Sequence, residues 1–299
     1  MATPVIIDTD PGIDDAVAVL YALRSPAFDV LGLTTVAGNI GLPTTTTNAA
    51  KLLTLAGRAL PVHAGADRPL ARTGFGASDI HGADGLGGVP LPAPQITPQP
   101  GAVDWIATTL EAQDPGTVDL FTLGPLTNLA HLLENHPQST RRLRRVIAMG
   151  GAVDERGNVG PRAEFNIAAD PEAAARVFAA DLPLTLIPLD VTRRVRASTS
   201  DTAALAQARD ADARTVGALI DAYFLTTDGG DSRPLHDPCV MLFAESPALF
   251  SCETRHLDVE TSTGPDAGAL IPGPYAIEVA MGVDGPAALA HLRDAFLNG

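Results

Sequence analysis

Four aspartates fall within eight positions near the start of the chain, in the stretch Asp8-Thr9-Asp10-Pro11-Gly12-Ile13-Asp14-Asp15. An apolar run precedes them, Pro11-Gly12 turns the backbone, and an apolar pattern of helical period follows. A carboxylate in the first turn of a helix is favoured by the helix dipole, so capping alone accounts for Asp14. Capping does not account for all four. Like charges this close raise one another's pKa and oppose folding unless a cation neutralises them. A hard divalent metal with oxygen ligands resolves the conflict. A second acidic element, Pro234-Leu235-His236-Asp237-Pro238, precedes another apolar helical stretch. Asp237 alone is an adequate helix cap, but His236 beside it adds a group that gives or takes a proton near neutral pH. Spacing along the chain does not by itself join the two elements.

The fold must bring them together. Short apolar runs bounded by Gly, Pro or Asp alternate with longer stretches of helical period. Residues 5–9, 30–35, 118–123, 145–149 and 184–189 read as strands. Residues 14–24, 43–56, 103–113, 126–134, 171–180 and 211–225 read as helices. This alternation predicts an α/β fold, an open and mostly parallel Rossmann-like sheet flanked by helices on both faces, formed as one domain over residues 1–299. The last quarter is less regular, with strands expected at 254–260 and 275–281 and a closing helix at 286–297. Ligands of such sheets bind beyond the carboxyl ends of the strands, so the active site is expected there. The polar clusters at 8–15, 37–39, 123–128 and 149–151 would then share one edge. Residues 72–88 and 226–234 read as mobile loops, able to close over a ligand. The proline-rich tract at 89–101 reads as a surface loop, because the strand and helix pattern resumes directly after it.

Composition narrows the classes further. A chain of 299 residues can bury a large core, and its formal charge of −15, with Lys51 the sole lysine, makes it a poor binder of nucleic acid. The one basic cluster, Arg141, Arg142, Arg144 and Arg145, reads as the solvated end of a helix. Two cysteines, Cys239 and Cys252, are too few for a disulfide scaffold and suit a reduced, cytoplasmic compartment. No apolar stretch is long enough to cross a bilayer, and the N-terminal segment, acidic by position 8, does not read as a secretory signal.

The segment DTDPGIDDAVA resembles the N-terminal signature of the inosine-uridine preferring nucleoside hydrolase family. AGN at 37–39, LGPLTNLA at 123–130, MGGAV at 149–153, AEFNIAADPEAA at 163–174 and HDPCV at 236–240 follow in the family's order and spacing. The resemblance therefore covers nearly the whole chain. It implies a calcium-dependent enzyme that splits ribonucleosides into ribose and free nucleobase, with pyrimidine-preferring or broad inosine and uridine specificity. By motif position the Ca2+ ligands are Asp10, Asp15, Asp237 and the backbone carbonyl of Leu123. Asp14, Asn39 and Asn166 map to the ribose 2′- and 3′-hydroxyls, and Met149, Asn158, Glu164 and Asn166 to the 5′ side. Asp10 would take the proton of the attacking water, and His236 would protonate the leaving base. His81 maps to the base-binding end, although a loop histidine is commonly just solvated. Tyr223 fits either a core position or a base-stacking one. A homodimer or homotetramer engaged in nucleoside salvage or catabolism is implied.

Two rival readings remain at this stage. Asp8-x-Asp10 after a strand also resembles the start of haloacid-dehalogenase-type phosphohydrolases, but those need a downstream cation and Lys51 comes too early. A calcium-dependent nucleoside-binding protein without catalysis is the other, although Asp10, Asp14, Asp15 and His236-Asp237 are all present.

Overall fold

The computed structural model describes residues 2–225 and 232–298. Its first strand, β1 (Thr3–Thr9), is followed by β2 (Phe28–Thr35), β3 (Val62–Ala64), β4 (Gln99–Pro100), β5 (Val118–Thr122), β6 (Leu143–Met149) and β7 (Leu184–Ile187). Two short strands come next, β8 (Arg196–Ser198) and β9 (Ser232–Pro234), and then β10 (Phe250–Val259), β11 (Leu270–Pro272) and β12 (Tyr275–Val283). Ten of these form one sheet in the order β11-β10-β12-β7-β6-β5-β1-β2-β3-β4, while β8 and β9 pair separately. From β12 to β4 every pairing is parallel. The α/β expectation holds, with one addition: β10 runs antiparallel to both β11 and β12. Strands β5 and β7 are buried along their whole length, whereas β10 is largely exposed. That difference explains why the last quarter lacks the continuous apolar runs of a doubly covered parallel strand. Strands β3, β4 and β11 have only three, two and three residues, too few to show a period in the sequence.

The helices are α1 (Ile13–Arg24), α2 (Leu42–Leu55), α3 (Ser78–His81), α4 (Ala102–Ala112), α5 (Thr127–Asn135), α6 (Pro137–Thr140) and α7 (Phe165–Ala169). They continue with α8 (Pro171–Phe178), α9 (Leu189–Thr192), α10 (Thr199–Ala206), α11 (Ala211–Leu225), α12 (Pro238–Glu245) and α13 (Gly285–Leu297). Alternation along β1 sends Val5 and Ile7 into a core shared with α1, α2, α11, α12 and α13. It sends Ile6 to the opposite face, into a core shared with α4, α5 and α8. Helix α1 is buried continuously from Ile13 to Leu23, as a helix apolar on every side must be. Each buried Val or Leu along it contributes about 1.5–3 kcal/mol relative to exposure. Two caps fix later helices: Asp170 accepts from the Ala173 amide at 3.1 Å, and Asp284 from the Ala287 amide at 3.1 Å.

Three expectations need amendment. Arg144 and Arg145 lie on β6, not at a helix end, and both donate to the fully buried Asp119 of β5, at 2.5–2.6 Å and 3.0 Å. Arg142 donates to the carbonyls of Leu110 and Gln113, so only Arg141, beside α6, fits the earlier reading. The glycine-rich loop at 72–88 contains the helical turn α3, and His81 on it is buried, not solvated. Of the second loop, residues 226–231 lie outside the described residues and 232–234 form β9. Among the described residues no helix is long and apolar enough to cross a membrane.

The chain reverses its direction of growth at β1, which has β5 on one side and β2 on the other. This is the switch point at which an open α/β sheet leaves a crevice. Asn128, at the start of α5, ties the crevice together. Its amide donates to Asp8 at 2.7 Å and to the Thr35 carbonyl at 3.0 Å, and its oxygen accepts from the Ala66 amide at 2.8 Å. Asp8 is also held by the Thr34 hydroxyl at 2.6 Å. Replacing Asn128 by Ala strands several buried polar groups at a cost of about 1–3 kcal/mol each. Asn128→Ala is therefore expected to lower the unfolding free energy in urea by at least about 2 kcal/mol. A loss below about 1 kcal/mol would remove Asn128 from this bracing role.

Candidate active site

At the carboxyl end of β1 the side chains diverge by pleat and by turn. Asp8 is buried, and its Oδ1 accepts from both the Thr34 hydroxyl and the Asn128 amide; burial lifts its pKa to about 6. It is a brace, and its enclosure counts against the phosphohydrolase reading, in which Asp8 would be an exposed nucleophile. Asp10 lies past the strand, completely buried between two glycines. A Cβ at Gly38 would sit 2.1 Å from one Asp10 carboxylate oxygen, and a Cβ at Gly124 would sit 2.3 Å from the other. Only glycine permits that approach. Asp10 Oδ2 accepts from the Asn39 amide at 2.6 Å, while Oδ1 is buried with no hydrogen-bond partner.

Asp14 and Asp15 open α1, and Asp237 immediately precedes α12. One oxygen from each of these three carboxylates falls within 4.8 Å of the others. Asp15 is the most heavily bonded. It accepts from the Thr9 hydroxyl at 2.5 Å, the Gly12 amide at 3.0 Å and the Asn39 side-chain amide at 2.9 Å. Burial and the charge on Asp15 raise the pKa of Asp10 well above the carboxylate range and that of Asp14 to about 7. Burial, together with the charges on Asp14, Asp15 and Asp10, does the same to Asp237. Among the described residues no lysine or arginine forms an ion pair with any of these four. Three converging buried carboxylates, with the partnerless Asp10 oxygen near them, fit a hard divalent cation.

Above this floor opens a cavity of about 540 Å³. Asp14, Asn39, Leu123 and Asp237 line its lower wall, while Asp10 and Asp15 stand behind it. The Leu123 carbonyl follows β5 and accepts from the Asn166 side-chain amide at 2.5 Å, which also reaches the Met149 carbonyl at 3.2 Å. Glu164 caps α7, accepting from the amides of Gly151, Asn166 and Ile167 at 2.9, 2.9 and 3.2 Å. Asn158 accepts from the Phe165 amide at 2.9 Å. Asn158, Glu164, Asn166 and Met149 thus form one side of the cavity, the side assigned to the ribose 5′ end by resemblance.

The opposite side holds His81, Tyr223 and His236. The Ile13 amide donates to His81 Nδ1 at 3.0 Å, so Nδ1 is unprotonated and Nε2 carries the hydrogen. His81 thereby caps α1 from 68 residues away. Its ring stacks on Tyr223, with centroids 5.9 Å apart and planes at 25°. Burial lowers its pKa to about 4. Tyr223 is 6% exposed, so it both belongs to the core and faces the cavity. His236 Nδ1 lies 2.7 Å from the Thr192 hydroxyl, and burial reinforced by Arg193 and Arg233 pushes its pKa down to about 3. Both histidines therefore stand neutral at pH 7. The cavity also contains residues that sequence reasoning missed. Phe75 and Phe165 meet edge to face at 5.4 Å in its wall, and Arg233 and Asp79 line it. Phe75 and Arg233 lie in the two stretches read as loops from their glycine content, a signal that does not indicate which side chains turn inward.

Comparison with known proteins agrees with this geometry. The sequence pattern described as inosine-uridine preferring nucleoside hydrolase matches residues 5–290. A pyrimidine-specific ribonucleoside hydrolase, RihA, of Shewanella woodyi is 40% identical over 283 residues, covering 93% of this chain and 90% of its own. An uncharacterized protein of Schizosaccharomyces pombe is 40% identical over 264 residues, covering 87% and 85%. Among solved structures, a plant nucleoside hydrolase superposes with a TM-score of 0.90 at 33% identity over 100% of both chains. A purine-preferring ribonucleoside hydrolase from Gardnerella vaginalis gives 0.91 at 28% identity over 99% and 98%. With the motif order, the sheet and the acidic floor all in place, the chain belongs to the inosine-uridine preferring nucleoside hydrolase family.

Proposed function

We propose that this N-glycosidase acts on pyrimidine ribonucleosides in preference to purine ones, and that its cation is Ca2+. The observation that carries the metal dependence is the convergence of the buried Asp14, Asp15 and Asp237 carboxylates, with the partnerless Asp10 oxygen buried near them. Asp10, Asp15, Asp237 and the Leu123 carbonyl would hold the ion, with Asp14 close enough to share its charge. Calcium tolerates such an irregular oxygen shell better than magnesium. When bound it supplies Lewis acidity, making a water more acidic and fixing the ribose hydroxyls. Support for pyrimidine preference comes from RihA relatives, such as that of Citrobacter koseri at 41% identity over 268 residues. We further propose a cytoplasmic homodimer or homotetramer; both described cysteines are free, in keeping with a reducing compartment.

The remaining chemistry belongs to this chain's own groups. Asp14, Asn39 and Asn166 receive the 2′- and 3′-hydroxyls, and Met149, Asn158 and Glu164 the 5′ end. Hydroxyl groups left unpaired in a dry pocket are costly, so these contacts select ribose. Asp10, its pKa raised by burial, accepts a proton from water as the water oxygen attacks the anomeric carbon. The ribosyl group develops oxocarbenium character, which the surrounding carboxylates favour. His236 stands neutral in the free site; charge building on the departing base favours its imidazolium, which passes the Nε2 proton to the base and returns to the neutral form, with the Thr192 hydroxyl holding Nδ1. His81 and Tyr223 offer their ring faces to the base.

Three outcomes are expected. Ribose release from uridine, cytidine and inosine should cease with a calcium chelator and return with Ca2+, with the two pyrimidine nucleosides ahead; release that ignores the chelator would dismiss the metal. Asp10→Asn should cut turnover by at least about 100-fold at little cost to stability, because the carboxylate is the base. Persisting turnover in that variant would place the base elsewhere. His236→Ala should slow uridine by about 100-fold while sparing 4-nitrophenyl riboside, whose leaving group needs no proton. Equal losses on the two substrates would end the acid role.

A further inference from the structure

Among the described residues, Arg233 is the only arginine or lysine in the wall of the cavity. No motif of the sequence points to it, and the roles set out above leave it without one. It sits on β9, opposite Ala197 of β8, and the short ribbon is pinned by Arg196, which donates to the Ser232 carbonyl at 2.6 Å and hydroxyl at 2.9 Å. Arg233 Nε donates to the Tyr223 carbonyl at 3.2 Å, and its guanidinium carbon lies 4.6 Å from the centroid of the Tyr223 ring. Side chain and ring are thereby locked as a cation–π pair.

Among the described residues the two Nη groups have no hydrogen-bond partner and no carboxylate forms an ion pair with them. Other half-buried arginines of this protein are treated differently. Arg145 grips Asp119, Arg24 grips Asp212, and Arg193 holds Glu155 and the carbonyls of Arg156 and Gly157. Neither Nη is among the buried atoms without a partner, so water reaches both in the cavity, and a planar ligand acceptor can displace that water with a charge-assisted bond. The charge of Arg233 is felt at His81, Tyr223 and His236, which places it at the base end of the cavity.

We propose that Arg233 is a catalytic residue that receives the departing nucleobase, its Nη–H groups donating to the carbonyl oxygen next to the glycosidic nitrogen, O2 of a pyrimidine. This rests on the reading of the protein as a ribonucleoside hydrolase. When the bond from C1′ to N1 breaks, its electron pair stays on the base and spreads from N1 onto O2. The water oxygen bonds to C1′, one water proton passes to Asp10, and the base takes a proton from the His236 imidazolium. Arg233 gives up none, since a guanidinium stays charged. A planar fork of donors matches the planar edge of the base, and the donation strengthens as the anion forms. That difference between ground and transition state is what accelerates a reaction.

The test compares the wild-type protein and Arg233→Ala, both loaded with Ca2+, on uridine, 5-fluorouridine and 4-nitrophenyl riboside, whose leaving groups are progressively more stable as anions. The variant should lose about 100-fold in kcat/KM on uridine, less on 5-fluorouridine, and only a few-fold on 4-nitrophenyl riboside. Turnover of the last substrate also reports that the variant is folded. An equal proportional loss on all three would show a structural role and overturn the proposal, as would unchanged uridine turnover. A wild-type protein inactive on all three would instead strike the hydrolase reading itself, and this inference with it.

Discussion

Four carboxylates, Asp10, Asp14, Asp15 and Asp237, are packed out of water at the edge of the sheet, and among the described residues no cationic side chain forms an ion pair with them. Their mutual repulsion is the constraint that the surrounding structure must contain. It does so with oriented donors: the Thr9 hydroxyl, the Gly12 and Asn39 amides and the Asn39 side chain all turn toward Asp15 or Asp10. Two helix N-termini, those of α1 and α12, add positive ends of dipoles at the same point. Helix α1 cannot relieve the strain by moving outward, because apolar packing surrounds it from Ile13 to Leu23. What the donors leave uncompensated is the vacant acceptor on Asp10, and a divalent cation is the group whose charge and coordination suit it.

The same economy governs the opposite wall. Each polar group there carries a structural bond as well as facing the cavity. His81 caps α1 through Ile13, so a cavity-lining ring and the helix that carries Asp14 and Asp15 share one hydrogen bond. Asn166 binds the Leu123 carbonyl, and Glu164 braces Gly151 while capping α7. Groups fixed in this way lose little freedom when a ligand arrives, which is the preorganisation an enzyme needs. Burial also holds His81 and His236 neutral, so both meet a ligand as hydrogen-bonding imidazoles, while Arg233 supplies a permanent positive charge.

Much of this was legible in the sequence, and particular residues show why. Helical and strand periods mark β1, β5, β6, α1, α2 and α11 to within a few residues, because long elements with one environment repeat their pattern. The parallel sheet followed from that alternation, and with it the edge at which Asp10, Asn39, Leu123 and Met149 gather. The density of aspartates announced a cation, since no fold stabilises such a run of buried charge unaided. Family resemblance joined His236-Asp237 to that cluster, which spacing alone could not do.

Tertiary structure decided the rest. It separated Asp8, spent on Thr34 and Asn128, from Asp14 and Asp15, which converge with Asp237, although all three of the N-terminal residues are aspartates within eight positions. It turned an arginine run from a helix end into a clamp on Asp119, and a loop histidine into a helix cap. It also brought Arg233 over Tyr223, a contact made across the segment between α11 and β9. Local sequence records the period and polarity of an element, but which side chain turns inward at its end depends on the shape of what packs against it.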